Sequence, residues 1–438
     1  MTSPPKPLRA DASLDASPAV EAEADAEARF QAQVRRDLPR NFFAHLCHGM
    51  LGQTGFRMFQ APTFLPTYIE LLSGSVVWVG AIRALQGLGQ CLTPVFSATL
   101  VEHRRRVLRL GLGIGALMRL QFLGIALAGF LLPPMANLIA ISVFMTLFGF
   151  LLGMQGVVFN TLMAKVIPVE RRGVLNGTRN ALAGIVVFFV GGFGGAYLVE
   201  PNVWGNGYAA TFGVAFLLTA GGLAMLMLTR EPEAPTVRAQ VRVRERLRDV
   251  PELLRQDPHF TRYFVARAFA TIGRMGMPFY ILYAQRSTPL SGTELGVLTG
   301  AFALSQSSFN LAWGLIADRS GFRVVFLMAV ALWICSLALL FVEPGFLGLV
   351  AVYAGIGAGL GGFMMASMNL VLEFGDRRDT PLRIALANTS SELVGSIATF
   401  AAGLIVAAFG YGALFAAAIA FKAVALALMW RVKEPRFA

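Results

Sequence analysis

The chain alternates long apolar runs with short polar gaps, and each run is near the ~20 residues that an α-helix needs to cross a bilayer. The runs fall at about 42–66, 76–98, 108–131, 138–163, 174–198 and 208–229. After a polar gap they resume at 263–285, 295–317, 324–342, 347–372, 384–409 and 412–430. Inside them the apolar residues are continuous, without the period-two alternation of a barrel strand. The pattern predicts an all-α membrane protein with twelve transmembrane helices. Residues 1–40, rich in Ala, Pro, Asp and Glu, read as a polar tail, because no apolar core follows a basic start as in a signal peptide.

The second half echoes the first. An offset of 221 superimposes Phe43 on Phe264, Gly52 on Gly273 and Gly55 on Gly276. An offset of 216 superimposes Gly80 on Gly296, Gln90 on Gln306 and Glu102 on Asp318. An offset of 211 superimposes Leu175 on Leu386, Thr178 on Thr389 and Gly184 on Gly395. Three matches in chain order, with a slowly drifting offset, predict two pseudosymmetric six-helix bundles, over 41–229 and 262–431. The polar stretch 230–261 joins them. Its Arg242, Arg244, Arg246 and Arg248 alternate near an apolar stripe of Leu247, Val250, Leu253 and Leu254, which fits an amphipathic helix on the membrane surface or a solvated linker.

Composition agrees with a lipid-embedded chain. Of the 438 residues 56% are hydrophobic and only 14% charged, against about 25% charged in soluble domains. That excludes a soluble enzyme. The net charge of +12 would point to nucleic acid in a soluble protein. Here topology absorbs most of it. Of the 37 Lys and Arg, 29 fall in the tails and in the loops after even-numbered spans, and one, Arg286, in the opposite loops. This asymmetry predicts a multi-pass protein of the cell (inner) membrane with both termini cytoplasmic, including the 432–438 tail. No nucleic-acid partner is expected. Three scattered Cys and four His supply no ligand spacing, so neither a metal nor a cofactor is expected.

Twelve spans in two halves around a basic central loop resemble the major facilitator superfamily. The loop after span 8 carries the resemblance: Gly314-Leu315-Ile316-Ala317-Asp318-Arg319-Ser320-Gly321-Phe322-Arg323 matches the family's GxLxDRxGxR motif. The loop after span 2, around Glu102, is a degenerate copy, with Ala98 for the first Gly and Glu for Asp. The resemblance covers about residues 41–430 and implies alternating access, in which two bundles rock around a site near the midplane. A carboxylate at a helix end favours the positive start of a partner helix and pairs with Arg there. Pseudosymmetry then predicts two gating latches: Asp318 with Arg172 or Arg179, and Glu102 with Arg383. Arg319, Gly321 and Arg323 complete the loop motif.

The remaining charges lie inside the spans, where insertion costs about 2.5–3.5 kcal/mol each. They are Arg57, Arg83, Arg119, Arg179, Arg267, Arg274 and Lys422, against one acid, Glu392. Gln53, Arg57 and Gln60 share one face of span 1, and Arg83, Gln86 and Gln90 one face of span 2. In the family, spans 1, 2, 4, 5, 7, 8, 10 and 11 line the cavity. The resemblance therefore implies that Arg57, Arg83 and Arg274 contact substrate, with Gln53, Gln60, Gln86, Gln90, Gln155, Gln306 and Asn310 as further polar contacts. Arg119 and Lys422, on peripheral spans, are expected to pack structurally or to reach toward the interface. Glu392 is the candidate for proton coupling, or an ion-pair partner for one Arg.

The reading is a monomeric secondary transporter. Its expected partners are the bilayer, a small organic and anionic solute, and a co-transported proton or ion. No phosphate-cradling ATPase loop is present. Alternatives on the same fold are a multidrug or metabolite exporter, disfavoured because span 5 lacks the Pro of GxxxGPxxGG, and a non-transporting receptor or assembly factor docking through 230–261. An enzyme is not expected, since no catalytic cluster occurs.

Overall fold

The computed structural model describes residues 18–91, 93, 104–233, 250–287, 289–374 and 380–434. Among them the regular structure is helical. Glu102 and most of the central loop, including Arg242 to Arg248, lie outside the described residues.

Seven described helices are long and apolar enough to cross a membrane. The longest, Leu382–Trp430, holds two crossings, because Gly410 at φ +81° turns the chain back between spans 11 and 12. These seven therefore supply spans 3, 4, 5, 6, 9, 10, 11 and 12. The four crossings that fall short, spans 1, 2, 7 and 8, are two pseudosymmetric pairs, and each carries the polar residues noted above. Apolarity is lowest where a helix faces its partner bundle instead of lipid.

Spans 1 and 7 are also broken. The first helix, Pro18–Gln60, begins well before the membrane; its Ala- and Glu-rich start is a good helix former. At ~1.5 Å per residue its first two dozen residues project over 30 Å beyond the span. The polar tail is thus helical from Pro18 on and continuous with span 1. This helix stops at Gln60, and Phe64–Ser73 completes span 1. Span 7 runs as Pro258–Ile272, interrupts over Gly273–Gly276 and resumes through Met277–Phe279 into Tyr280–Ser287. Pro62 and Pro278 sit at the two breaks, where a missing N–H and a fixed φ end a helix. They are separated by the same offset, 216, that relates span 2 to span 8.

The halves meet through glycines. A side chain at Gly195 on span 5 would strike the Gly292 carbonyl of span 8, and one at Gly191 would press on Gly296. On the other seam, Gly80 of span 2 faces Thr399 and Gly403 of span 11, and Gly87 faces Ser396. Thr63 and Thr299 share a hydrogen bond of 2.5 Å, and Thr67 Oγ1 donates to Gln285 at 3.4 Å. These contacts run from the ends opposite the termini to the middle of the bundle. Toward the terminus-bearing side the seam is open among the described residues: Gly173, Gly177 and Gly314 all face clear space. Lipid solvates the outside, where Leu131, Leu311 and Leu347 stand exposed.

A carboxylate cap repeats in both halves. Glu231, just after span 6, accepts from the backbone N–H groups of Val107 and Leu108 at the start of span 3, at 2.7–2.9 Å, and pairs with Lys165 at 3.4 Å. Glu434, just after span 12, accepts from the Arg323 N–H at the start of span 9, at 3.0 Å. Each cap places negative charge on a positive helix end. Both acids precede a proline, in Glu231-Pro232 and Glu434-Pro435, so the repeat was visible in the chain.

Candidate functional site

The polar faces of spans 1 and 2 come together. Arg83 Nη1 donates to Gln60 Oε1 at 2.6 Å and to Gln86 Oε1 at 3.1 Å, while its Nε is buried without a partner. Two neutral amides orient this guanidinium but leave its charge uncompensated. Three residues before Gln60, Arg57 Nη1 donates to the Ser307 hydroxyl of span 8 and, at 3.4 Å, to the Asn180 carbonyl of span 5. Arg57 therefore joins the two halves at the level where span 1 unwinds. Gln90 is half-buried and makes no hydrogen bond among the described residues.

Arg274 lies in the break of span 7, where a helix interior gives way to free backbone. Its Nη2 points at Gly395 of span 11. Among the described residues its side chain makes neither a hydrogen bond nor an ion pair. Glu392, one turn from Gly395, is half-buried and also forms no ion pair there; its nearest thiol neighbour is Cys91 of span 2, whose Sγ faces the Thr389 carbonyl at 3.8 Å. Among the described residues, Glu392 thus neutralises none of the seven cations within the spans. Arg83 is a guanidinium fixed by two amides and Arg274 one left without a partner among the described residues, and such groups are suited to a carboxylate or another compact anionic group.

Other expected contacts separate from this group. Gln306 and Asn310 lie against Gly361 of span 10, within the second half. Gln53 and Gln155 line a different cavity, inside the first half. Arg267 is tied to Asn388 at 2.8 Å and to the Ser367 carbonyl at 3.3 Å, which knits spans 7, 10 and 11 together. Arg119 and Lys422 are buried on backbone carbonyls and do not extend to the interface: Arg119 donates to Thr219 and Gly115, Lys422 to Gly273.

Of the two expected latches, the one at Asp318 is not formed among the described residues, and the one at Glu102 lies outside them. Asp318 is exposed and makes no ion pair among the described residues. Arg172 donates to the Ile167 and Ala164 carbonyls at 2.8 and 2.7 Å, and Arg179 packs its guanidinium over the Phe159 ring, 5.3 Å from its centre. The reason is the open seam, which separates the end of span 8 from the start of span 5. Arg383 pairs with Asp257 at 2.6 Å and covers the Phe260 ring, so it anchors span 11 to the entry of span 7. Asp257 was missed because it sits in the linker; its helix-capping bond to the Phe260 N–H was the available signal. Within the loop motif, Gly321 adopts φ +84° against the Glu434 carboxylate, and Arg323 donates to the Met429 and Trp430 carbonyls at 3.2 and 2.8 Å. Gly321 and Arg323 therefore fasten span 9 to span 12. Gly314, Asp318 and Arg319 stay at the open seam.

Known proteins share this architecture. A solved D-xylose-proton symporter superimposes with a TM-score of 0.70 at 13% identity, over 91% of this chain and 98% of that one. A bacterial homologue of the human lysosomal transporter Spinster, solved inward-facing and unoccupied, gives 0.64 at 15% identity, over 90% and 96%. In sequence, the hexuronate transporter of Bacillus subtilis (strain 168) is 22% identical over 152 residues, which are 35% of this chain and 36% of that protein. The match thus spans about a third of the relative. The Major Facilitator Superfamily model matches residues 42–282 and 263–438. With two six-helix halves, broken first helices in each and a family model covering nearly all of both, this chain belongs to the major facilitator superfamily, a family of transporters and not of enzymes.

Proposed function

We propose that this chain is a gradient-driven transporter of a small organic anion, working by alternating access in the inner membrane with both termini cytoplasmic. The carrying observation is Arg274: a guanidinium in the break of span 7, beside Gly395 of span 11, with no protein partner among the described residues. A half-buried cation left unpaired between packed helices carries a desolvation cost, and an anionic solute would offset that cost each time it binds. The limited likeness to a hexuronate transporter agrees, since a hexuronate carries one carboxylate on a small polar body. Glu392 is the proposed proton carrier, being the one acid within the spans. The Lys and Arg asymmetry supports a cytoplasmic position for the open seam, which makes the proposed conformation inward-facing, and the proposed transporter is a monomer.

Counterflow in proteoliposomes tests this reading. Glucuronate and galacturonate are expected to exchange, and neutral xylose is not. Arg274→Gln is expected to abolish exchange of the carboxylated sugars. Uptake of neutral solutes alone, or full activity in Arg274→Gln, would refute the anion assignment.

A further inference from the structure

A cationic cavity lies inside the first half, and its lining includes neither Arg83 nor Arg274. It has a volume of about 170 Å³ and is lined among others by His48 and Gln53 of span 1, Arg119 of span 3, Gln155 and Gly156 of span 4 and Arg179 of span 5. At ~30 Å³ per water molecule, this holds a few waters or one compact anion. Its lining contains two guanidinium groups and neither an aspartate nor a glutamate.

The side chains that face it are built in. Arg119 is only 4% exposed, and its Nε and Nη1 are committed to the Thr219 and Gly115 carbonyls at 2.6 and 2.7 Å. Those bonds fix the plane of the guanidinium and leave Nη2, on the Gly52 side, without a hydrogen bond among the described residues. Arg179 is held by its stem against Gly49 and by its face over Phe159, and its Nε is buried without a partner. Gln155 is 8% exposed and its Oε1 is likewise unpartnered. His48, also 8% exposed, is oriented by the Gly222 carbonyl 2.9 Å from Nδ1.

We infer that this cavity is a binding site for a compact monovalent anion: two fixed cations with unused donors face one small space in which the protein supplies no negative charge. Arg119 Nη2 and Arg179 Nε are the donors, and His48, Gln53 and Gln155 shape the walls. The occupant is a free halide or the carboxylate of an organic ion, which present the same single charge to the two guanidinium groups. The lining includes neither Arg274 nor Arg83, so the site is distinct from the one proposed at Arg274, although Arg179 lies near Arg57.

The test uses the full chain purified in detergent, with sodium chloride or sodium acetate titrated at constant ionic strength against morpholinoethanesulfonate, an anion too bulky for the cavity. The melting temperature is expected to rise saturably, by about 3 °C or more at a hundredfold excess over Kd. Gln155→Glu supplies a fixed carboxylate of nearly the same shape. This variant is expected to melt at or above wild type and to lose the anion dependence. Gly156→Met, a mid-helix change into clear space at an exposed lining position, is expected to fold and to weaken it. Arg274→Gln is expected to retain it. A response to chloride alone identifies a free ion and a response to acetate alone a carboxylate; both support the site. No response to either anion, a response undiminished in Gln155→Glu, or one lost in Arg274→Gln instead, would overturn it.

Discussion

The ammonium of Lys422 sits 4.3 Å from the centre of the Trp333 ring, with the Gly273 carbonyl as its hydrogen-bond acceptor. Lys422 is fully buried, and no carboxylate among the described residues joins it. The first half repeats the arrangement with the partners exchanged. Trp333 on span 9 follows Arg119 on span 3 by 214 residues, between the offsets that relate spans 2 and 8 and spans 5 and 11. Arg119 donates to Thr219 of span 6, whereas Trp333 receives its cation from span 12. Each half thus keeps one buried cation between its third and sixth spans, beside the glycine of the broken span: Gly52 in one, Gly273 in the other.

The burial of Lys422 makes a sign prediction. Removing an uncompensated buried charge relieves a desolvation cost of several kcal/mol, while the lost charged hydrogen bond is worth about 1.5–3 kcal/mol. Lys422→Met is therefore expected to melt at or above the wild-type temperature. Trp333→Ala opens a cavity and strips the cation of its ring, at a cost of about 3–5 kcal/mol. Thermal unfolding in detergent separates the two; a large loss in Lys422→Met would show that the cation itself stabilises the fold.

The carboxylate caps should be unequal. Glu231 serves two backbone N–H groups and Lys165 and is almost fully enclosed, with its side chain 2% exposed. Glu231→Ala is expected to lower stability by about 2 kcal/mol, at the upper end of helix-cap losses. Glu434→Ala, which removes one such N–H bond, is expected to cost about half as much. Equal losses in melting temperature would argue against the cap as the source of the difference.

Asp318 makes no ion pair among the described residues, so its neutralisation breaks no such pair in the conformation described. If the expected pair with span 5 forms when the seam closes, Asp318→Asn weakens the closed state alone. A surface pair worth about 0.5–1 kcal/mol shifts the population two- to fivefold toward the open seam. Thiol labelling at Gly177→Cys or Gly314→Cys, both in clear space, should accelerate accordingly. Unchanged labelling would remove the latch from the mechanism.

The opposite seam predicts the reverse shift. Gly195 and Gly292 touch backbone to backbone, so a leucine at either position has no room while that seam is closed. Gly195→Leu is expected to disfavour the inward-facing state and to slow labelling at the same reporter cysteines by tenfold or more. It should also reduce transport, because a carrier held on one side cannot cycle. Normal labelling rates would mean that the halves accommodate the side chain without parting.

Apolar runs marked the crossings in the sequence, clearly for eight spans and more weakly for spans 1, 2, 7 and 8, because lipid leaves a helix no alternative to satisfying its own backbone. The Gly and Gln repeats likewise made the two halves legible, and the polar stripes of spans 1 and 2 marked which helices avoid lipid. Sequence spacing also placed Arg83 on one face with Gln86, since both lie on one helix. What it left open were contacts between distant segments. Arg383 met Asp257 from the linker, and Arg323 met the end of span 12. Gln53 and Gln155 left the central group for a cavity of their own with Arg119 and Arg179. A periodic pattern specifies the direction a side chain takes from its own helix axis. Which partner waits there depends on helix rotation, on the breaks at Pro62 and Pro278, and on which end of the seam is closed, and those are properties of the packed bundle.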